Sequence, residues 1–259
     1  MNTTNANALA AMADALCATA EEAGRIILDI YEEGFEVELK PDDSPITRAD
    51  RASHVFVSKR LGELYPDIPL LSEEGIHLPI AERSRWQRFF LLDPLDGTKE
   101  FVKRNGEFTV NIALVEGRSP VLGIVRIPVR GVTYWGGPHL GAFRRHDGGE
   151  AQPIATAAPG PGGPVLLASR SHPAPETEAF AARNGVTRRI DAGGAVKFCL
   201  LAEGTAHLYP RFNVTWEWDT AAGHALILGA GGSFTAPDGG DFPYNKEDLA
   251  NGGFFAAWK

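Results

Sequence analysis

The sequence has few cysteines and no excess of positive charge, and both shortages narrow what the protein can do. Its 259 residues include only two cysteines, Cys17 and Cys199, and no Cys-x-x-Cys pair. They cannot form a disulfide framework, so a reducing compartment is the simplest expectation. The 33 acidic residues outnumber the 25 Lys and Arg, which gives a formal net charge of −8. Because nucleic-acid binders are usually basic, we expect no nucleic-acid polymer as a partner and no attachment to lipid by charge alone.

Long apolar segments are also missing. The longest uncharged stretch, residues 151–169, is interrupted by four prolines, which rules it out as a membrane span. The N-terminus has no basic region before its first charge, Asp14, so no signal peptide is predicted. The expected location is the cytoplasm, and peripheral association with the cytoplasmic face of the inner membrane stays open as an alternative.

The spacing of apolar residues predicts two halves of one structural unit. In residues 1–150, two helices precede consecutive strands, a pattern typical of an antiparallel meander. In residues 165–259, strands and helices alternate, which favours an α/β layer. The Gly- and Pro-rich residues 147–164 are predicted to be a loop between the halves. The predicted elements are helices near 9–34, from Thr47 to about Leu64, and near 174–184, 195–203 and 218–228, with strands near 89–92, 108–115, 121–127, 133–135, 142–143, 165–168, 187–190, 206–209 and 253–258.

Three acidic clusters lie beside the predicted ends of these elements. They are Ser-Glu-Glu-Gly at 72–75, Asp-Pro-Leu-Asp-Gly-Thr at 93–98 and Trp-Asp-Thr-Ala-Ala-Gly at 218–223. Asp50, three residues after Thr47, has the spacing of a capping box and is a candidate fourth member. Taken singly, each has a purely structural explanation as a turn, a solvated charge pair or a helix cap. Their joint occurrence favours a functional site.

The cluster at 93–98 has the chemistry of a metal and phosphate site. Pro94 restricts Asp93 to an extended conformation, and the preceding strand is expected to stop here. Asp93 and Asp96 can then face one point, with the carbonyl of Leu95 between them. Gly97 permits a close backbone approach at the start of a helix, whose free amides favour a phosphate. Carboxylates beside a phosphate suit Mg²⁺.

The three clusters resemble the signature motifs of the inositol monophosphatase superfamily of Mg²⁺-dependent, lithium-sensitive phosphatases. Three segments are more similar to its 3′(2′),5′-bisphosphate nucleotidase branch, the bacterial CysQ type: LDPLDGTKEF at 92–101, KRNGEF at 103–108 and YPRF at 209–212. The resemblance implies an αβαβα five-layer sandwich with the site between the two halves. Further similar segments lie at 40–50, 71–74, 86–88, 169–172, 197–200 and 218–225.

The resemblance also implies a role for each matched residue. The metal would be two or three Mg²⁺ ions, and the attacking group would be a water oriented by a Thr–Asp pair. The metal ligands would be Glu73, Asp93, Asp96 and Asp219 by their side chains and Leu95 by its backbone carbonyl. The catalytic residues would be Asp50, Thr98 and Glu74, the last holding a metal-bound water. The substrate contacts would be Glu73, Leu95, Asp96, Gly97, Thr98, Asp219, Ser169, Arg170, Lys197 and Arg211.

The implied substrate is a small phosphorylated nucleotide, 3′-phosphoadenosine 5′-phosphate, whose 3′-phosphate is hydrolysed to give AMP and phosphate. One departure puts this preference in doubt. The branch usually has Gly-Ser-Ser ahead of Lys197, whereas this chain has Gly193, Gly194 and Ala195 there and lacks both hydroxyls. The alternative is activity on inositol phosphates or fructose 1,6-bisphosphate within the same superfamily. The oligomeric state is not readable from the sequence.

Two further classes of protein have less support. A dinucleotide-binding oxidoreductase would rest on Gly229–Gly232, but Phe234 replaces the final glycine of the fingerprint and the segment follows a helix. A catalytically silent metal- or nucleotide-sensing protein is the other class, and retention of every matched ligand argues against it. The histidines show no zinc-site spacing, so His54, His172 and His224 are predicted to be structural or solvent-facing.

Overall fold

The computed structural model describes residues 3–40 and 45–259, so Pro41–Ser44 of the motif at 40–50 lie outside the described residues. Seven α-helices and sixteen strands occur in the described part of the chain. The helices are α1 (Thr3–Glu33), α2 (Arg48–Leu64), α3 (Ile80–Arg83), α4 (Thr98–Val102), α5 (Pro175–Arg183), α6 (Val196–Ala202) and α7 (Glu217–Gly229), with a 3₁₀ turn at Pro128–Arg130. The strands are β1 (Val37–Leu39), β2 (Pro45–Thr47), β3 (Leu70–Ser72), β4 (Arg88–Asp96), β5 (Thr109–Glu116), β6 (Ser119–Ile127), β7 (Val132–Gly137), β8 (Gly141–His146), β9 (Gln152–Ile154), β10 (Val165–Ser169), β11 (Arg188–Ala192), β12 (Leu208–Arg211), β13 (Thr215–Trp216), β14 (Ser233–Thr235), β15 (Ala250–Asn251) and β16 (Phe254–Ala257).

Two large sheets organise the chain. The first has seven strands in the order β3-β4-β5-β6-β7-β8-β9, antiparallel except for the parallel pair β3–β4. It contains the meander predicted from the sequence. The second has five strands in the order β11-β10-β12-β16-β14, with β10, β11 and β12 parallel and β16 antiparallel to its neighbours. It contains the predicted α/β alternation.

Helices cover both faces of each sheet, which explains why β4 is apolar without interruption. Phe90 and Leu92 pack in one core cluster with the apolar side of α1, whereas Phe89 and Leu91 pack in another with α7. Side chains alternate between the faces of a strand, so a strand buried on both sides is apolar at every position. Helices α6 and α7 lie between the sheets, and α5 packs through Phe180 on the outer face of the second sheet. The predicted αβαβα sandwich is confirmed.

Two predicted boundaries are wrong. Strand β4 does not stop at Asp93 but continues through Pro94 to Asp96, with a register shift between Asp93 and Asp96. A proline lacks the amide needed for the ladder, and an irregularity of this kind accommodates it. The region 147–164 is not all loop, because β9 pairs with β8 inside it. The division of the chain into two halves stays a prediction.

The helices also bear on membrane association. Within residues 3–40 and 45–259, no helix combines the length and the apolarity that crossing a bilayer requires.

The contact between β6 and α7 offers a test of the packing that positions α7, the helix that carries Asp219. A Cβ added to Gly123 would lie 2.1 Å from the carbonyl oxygen of Ala222, so an alanine must push α7 away from the sheet. We expect Gly123→Ala to lower the free energy of unfolding by about 1–3 kcal/mol, measured by urea denaturation. The control is Gly62→Ala on the exposed side of α2, where the Cβ has open space. It should be neutral or stabilising by up to about 1 kcal/mol, and equal stability of the two variants would contradict the close packing.

Candidate functional site

The predicted metal-ligand side chains lie on or directly after three elements, β3, β4 and α7. Glu73 directly follows β3, with its amide donating to the carbonyl oxygen of Leu92 at 3.1 Å. Asp93 and Asp96 lie on β4, and Asp219 lies in the first turn of α7. Glu73, Asp96 and Asp219 line the same cleft. Burial, and then the charges of these three carboxylates, raise the pKa of Asp93.

The irregular end of β4 shapes the cluster at 93–98. Asp93 is buried, and its Oδ1 accepts a hydrogen bond from the amide of Leu95 at 3.1 Å. The Oδ2 of Asp96 accepts from Nδ2 of Asn111 on the neighbouring strand at 3.2 Å. Each aspartate therefore has a local donor that fixes its rotamer. Gly97 follows with φ of +90°, where an added Cβ would lie 3.0 Å from the carbonyl oxygen of Glu107.

Asp50 both caps a helix and contacts the site. Its Oδ2 accepts from the amide of Thr47 at 2.8 Å and from the Thr47 hydroxyl at 2.7 Å, and this confirms the predicted capping box. Its Oδ1 accepts from the Thr98 hydroxyl at 3.1 Å. The hydroxyl oxygen of Thr98 is also 3.3 Å from the carbonyl oxygen of Leu95. The residues predicted as a water-orienting pair are therefore in hydrogen-bond contact.

Asp219, like Asp50, accepts a hydrogen bond from the residue that caps its own helix. It is the third residue of α7, and its Oδ2 accepts from the amide of Trp216 at 2.7 Å. Burial raises the pKa of the Asp219 carboxyl well above its ordinary value, and the nearby charges of Asp96 and Glu73 raise it further. One oxygen of Asp219 thus serves the helix, and the other is left for the site.

The acidic cluster is electrostatically unfavourable without a positive partner. Burial raises the pKa of Asp93 well above the ordinary value for an aspartate, and the charges of Glu73 and Asp96 raise it further. Burial also raises the pKa of Asp50 and of Asp96, although the Lys197 ammonium opposes the shift at Asp96. Buried carboxylates close together favour either protons or a bound cation.

Lys40 supplies part of the missing positive charge. Its Nζ donates to Oε1 of Glu73 at 2.7 Å and to Oε1 of Glu74 at 2.5 Å. Burial opposes the charged form of Lys40, yet the two carboxylates raise its pKa above the ordinary lysine value. The sequence motif contained Lys40 but gave no reason to pair it with acids more than thirty positions away.

The donor set fits Mg²⁺ by its chemistry. Every candidate ligand is a carboxylate or carbonyl oxygen, the type that hard cations take, and the buried negative charge needs compensation. Among the residues described, no three His, Cys, Asp or Glu side chains converge on one point closely enough to coordinate an ion together. The fit to Mg²⁺ is therefore a fit of donor chemistry and charge.

An open cleft of about 850 Å³, including solvent at its mouth, connects this acidic group with a basic one. The basic group consists of Lys99, Lys197 and Arg211, all in the cleft wall. His172 lies among them, and its Nε2 accepts a hydrogen bond from Lys99 Nζ at 2.9 Å. Burial and the surrounding cations, Lys99 first, lower the pKa of His172 to about 4, so its ring is neutral at neutral pH.

The predicted substrate contacts separate into residues that line the cleft and residues that do not. Ser169, Lys197 and Arg211 line it, as do Glu73, Asp96, Gly97, Thr98 and Asp219. Arg170 is not part of the lining. It forms a bidentate ion pair with Glu107, in which Nε donates to Oε2 at 2.7 Å and Nη2 donates to Oε1 at 2.9 Å. Contact of any of these residues with a substrate stays a prediction.

Lys197 also donates hydrogen bonds to the backbone of a loop, a role that the sequence did not indicate. Its Nζ donates to the carbonyl oxygens of Ala192 at 3.1 Å and Gly194 at 2.5 Å. Gly194 has φ of +44°, and an added Cβ would lie 3.2 Å from the carbonyl oxygen of Asp96. The side chain of Lys197 therefore fixes the backbone of the loop in which this chain lacks the two serines.

Sequence reasoning missed several cleft residues. Lys99 and His172 belong to the motif segments at 92–101 and 169–172, and both line the cleft. Because Lys99 directly follows Thr98 in α4, its place at the site could have been inferred from the sequence. Thr220 directly follows Asp219 and also lines the cleft. Tyr209, which belongs to the YPRF segment, contributes an aromatic wall. The contact of Lys99 with His172 had no signal in the sequence.

Comparison with known proteins gives one consistent result. The model of the inositol monophosphatase family matches residues 8–257. The 3′(2′),5′-bisphosphate nucleotidase CysQ of Salmonella typhimurium is 44% identical over 94% of this chain and 98% of that protein. Its counterpart in Escherichia coli K12 is 42% identical over the same shares.

Solved structures agree with the fold. The crystal structure of CysQ from Bacteroides thetaiotaomicron, a bacterial member of the inositol monophosphatase family, matches with a TM-score of 0.82 and 40% identity. It covers 95% of this chain and 97% of that one. An inositol monophosphatase from Anabaena matches with a TM-score of 0.75 at 23% identity over 96% of this chain and 91% of that one, which supports the fold alone.

The raised carboxyl pKa values predict how cations and pH act together on stability. An acid whose pKa is higher in the folded than in the unfolded protein favours folding at low pH, and that contribution is lost as the pH rises through the folded pKa. Asp93 and Asp219 are such groups, so the metal-free protein should lose stability above the ordinary aspartate pKa of about 3.9. Mg²⁺ should therefore raise the Tm, measured by scanning calorimetry against EDTA, more at neutral than at acidic pH. An equal rise at both pH values would contradict this origin.

Proposed function

The chain belongs to the inositol monophosphatase family, and on this premise we propose that it is a metal-dependent phosphatase of 3′-phosphoadenosine 5′-phosphate. It hydrolyses the 3′-phosphate and releases AMP and inorganic phosphate. The nucleotidases at 42–44% identity support the substrate class, since they match over nearly the whole chain. A small phosphorylated nucleotide is the corresponding partner.

The observation that carries the proposal is the charge arrangement of the cleft. Its wall holds an acidic group, Glu73, Asp96 and Asp219, and the basic group defined above. A substrate with two phosphates can use both: one binds to cations recruited by the acidic group, and the other pairs with the basic group. An inositol monophosphate has no second phosphate for the basic group.

The acidic residues would hold two or three Mg²⁺ ions through Glu73, Asp93, Asp96, Asp219 and the carbonyl oxygen of Leu95. When bound, Mg²⁺ neutralises the phosphate charge and lowers the pKa of a water molecule. Glu74, next to Glu73, would hold a further water.

The residues of the chain direct the hydrolytic step. In the structure the Thr98 hydroxyl donates to Asp50, so Thr98 can accept a proton from the attacking water while passing its own proton to the carboxylate. The water oxygen forms a bond to phosphorus in line with the bond to the 3′-oxygen, which breaks. The amides of Gly97 and Thr98, at the start of α4, would hold the phosphate oxygens. The 3′-oxygen leaves with a proton from solvent, and no covalent phosphoenzyme forms.

A substrate panel tests the proposal directly. Phosphate release with Mg²⁺ should show the highest kcat/KM for 3′-phosphoadenosine 5′-phosphate, compared with inositol 1-phosphate and fructose 1,6-bisphosphate. A higher kcat/KM for either sugar phosphate would replace the proposed activity with that alternative. Tight nucleotide binding without phosphate release would favour a sensing protein instead.

Asp93→Asn tests the acidic group. The variant keeps the shape of the side chain but removes one cation-binding charge, so we expect kcat at saturating Mg²⁺ to fall by at least about 100-fold. The circular dichroism spectrum should be unchanged. The control is Asp67→Asn on the exposed surface, which should retain full turnover. Near-normal turnover of Asp93→Asn would remove Asp93 from the metal ligands.

Lys197 gives a pH-dependent test of the basic group. Burial lowers the pKa of Lys197 to about 8, so its ammonium is charged below that pH and neutral above it. The KM for the bisphosphate should therefore rise as the pH increases through about 8. Lys197→Met should raise this KM at neutral pH and flatten its rise with pH, and it should affect a monophosphate substrate less. An equal effect on both substrates would mean that Lys197 does not contact the second phosphate.

A further inference from the structure

The first turn of α7 is held by an ion pair between a buried glutamate and a half-buried lysine, which the proposed reaction does not use. Glu217 is fully buried, and its Oε1 accepts from Lys246 Nζ at 2.6 Å. The same carboxylate accepts from the amides of Asn245 at 2.7 Å and Lys246 at 2.9 Å. A buried carboxylate is stable only when it is paired and fully hydrogen-bonded, and Glu217 has three donors. The segment at 245–246 is thereby fixed against the start of the helix.

A second set of contacts extends from this pair to the neighbours of Asp219. Lys246 Nζ also donates to Oδ1 of Asn251 at 2.8 Å. The Nδ2 of Asn251 donates to the carbonyl oxygen of Trp216 at 2.8 Å and to the hydroxyl of Thr220 at 3.1 Å. Trp216 in turn donates its amide to the Asp219 carboxylate. The residues on both sides of Asp219 are therefore held by Asn251.

A third set reaches the part of the chain that carries the other acids. Arg83 in α3 is 2% exposed, and its Nη1 donates to Oδ1 of Asn245 at 2.7 Å. Its Nη2 donates to the carbonyl oxygen of Lys246 at 3.0 Å, and Nδ2 of Asn245 donates back to the carbonyl oxygen of Arg83 at 2.8 Å. Since α3 lies in the chain between Glu73 and β4, Arg83 joins that region to the start of α7.

We propose that these five residues (Arg83, Glu217, Asn245, Lys246 and Asn251), the α7 clamp, are positioning residues that hold Asp219 near the acids of β3 and β4. Like charges at Glu73, Asp96 and Asp219 repel, and a restraint on α7 is needed to keep them close. The clamp thereby sets the affinity of the site for a divalent cation. The inference rests on the proposed function only in taking Asp219 as a metal ligand.

The test separates positioning from general stability by measuring Mg²⁺ binding calorimetrically on substrate-free protein. Lys246→Met removes the ammonium but keeps most of the side chain, and it should weaken Mg²⁺ binding about 10- to 100-fold. Lys246→Arg retains the charge and should restore most of the affinity. Should Lys246→Met fail to fold, Asn251→Ala leaves the Glu217–Lys246 pair in place and carries the same expectation.

The matched control is Arg144→Met. Arg144 forms a half-buried ion pair with Glu203 at 2.8 Å, outside the cleft wall, so its loss should lower the Tm without changing Mg²⁺ affinity. Wild-type Mg²⁺ affinity in both Lys246→Met and Asn251→Ala would overturn the clamp while leaving the proposed function intact. An equal loss of affinity in Arg144→Met would also overturn it. Absence of Mg²⁺ binding by the wild-type protein would overturn the proposed function and the clamp together.

Discussion

Mutual repulsion among buried carboxylates is the constraint that the rest of this structure must satisfy. Asp93 is buried and Asp219 is half-buried in the cleft wall, and both have raised pKa values through burial and through the nearby charges of Glu73 and Asp96. A bound cation offsets the free energy of holding such charges together, which is why a phosphatase with an anionic substrate can be built around an acidic centre. The formal charge of −8 is thus concentrated partly where cations are needed.

Hydrogen bonds from nearby residues hold these acids in place on three different layers of the fold. Asp50 on the outer helix α2 and Asp219 on the central helix α7 each give one oxygen to the cap of their own helix. Asp93 and Asp96 receive their donors from the irregular end of β4 and from β5. Because each carboxylate has a neighbour that fixes one oxygen, the other oxygen can face the site. The α7 clamp also acts through hydrogen bonds, but its residues come from distant parts of the chain.

The basic side of the cleft is held by contacts between residues farther apart in the chain. Gly194 has a left-handed backbone, and Lys197 donates to its carbonyl oxygen. The carboxylate of Glu107 accepts hydrogen bonds from the Arg170 guanidinium and from the amide of Gly193. The loop is thus held by backbone contacts from two charged side chains, and one of them, Lys197, also lines the cleft with Lys99 and Arg211.

The sequence by itself determined the five longest helices, the meander, the capping box at Thr47 and the three acidic clusters, because each depends on residues close together in the chain. Resemblance added the layer order and the proposed identity of the metal ligands. Only the tertiary structure decided that β4 passes through Pro94, that Lys40 meets Glu73, and that Arg83 meets Asn245. Apolar periodicity reports which side of an element is buried but not which element covers it. Pairs separated by 33 and 162 positions therefore become visible only when the layers are assembled.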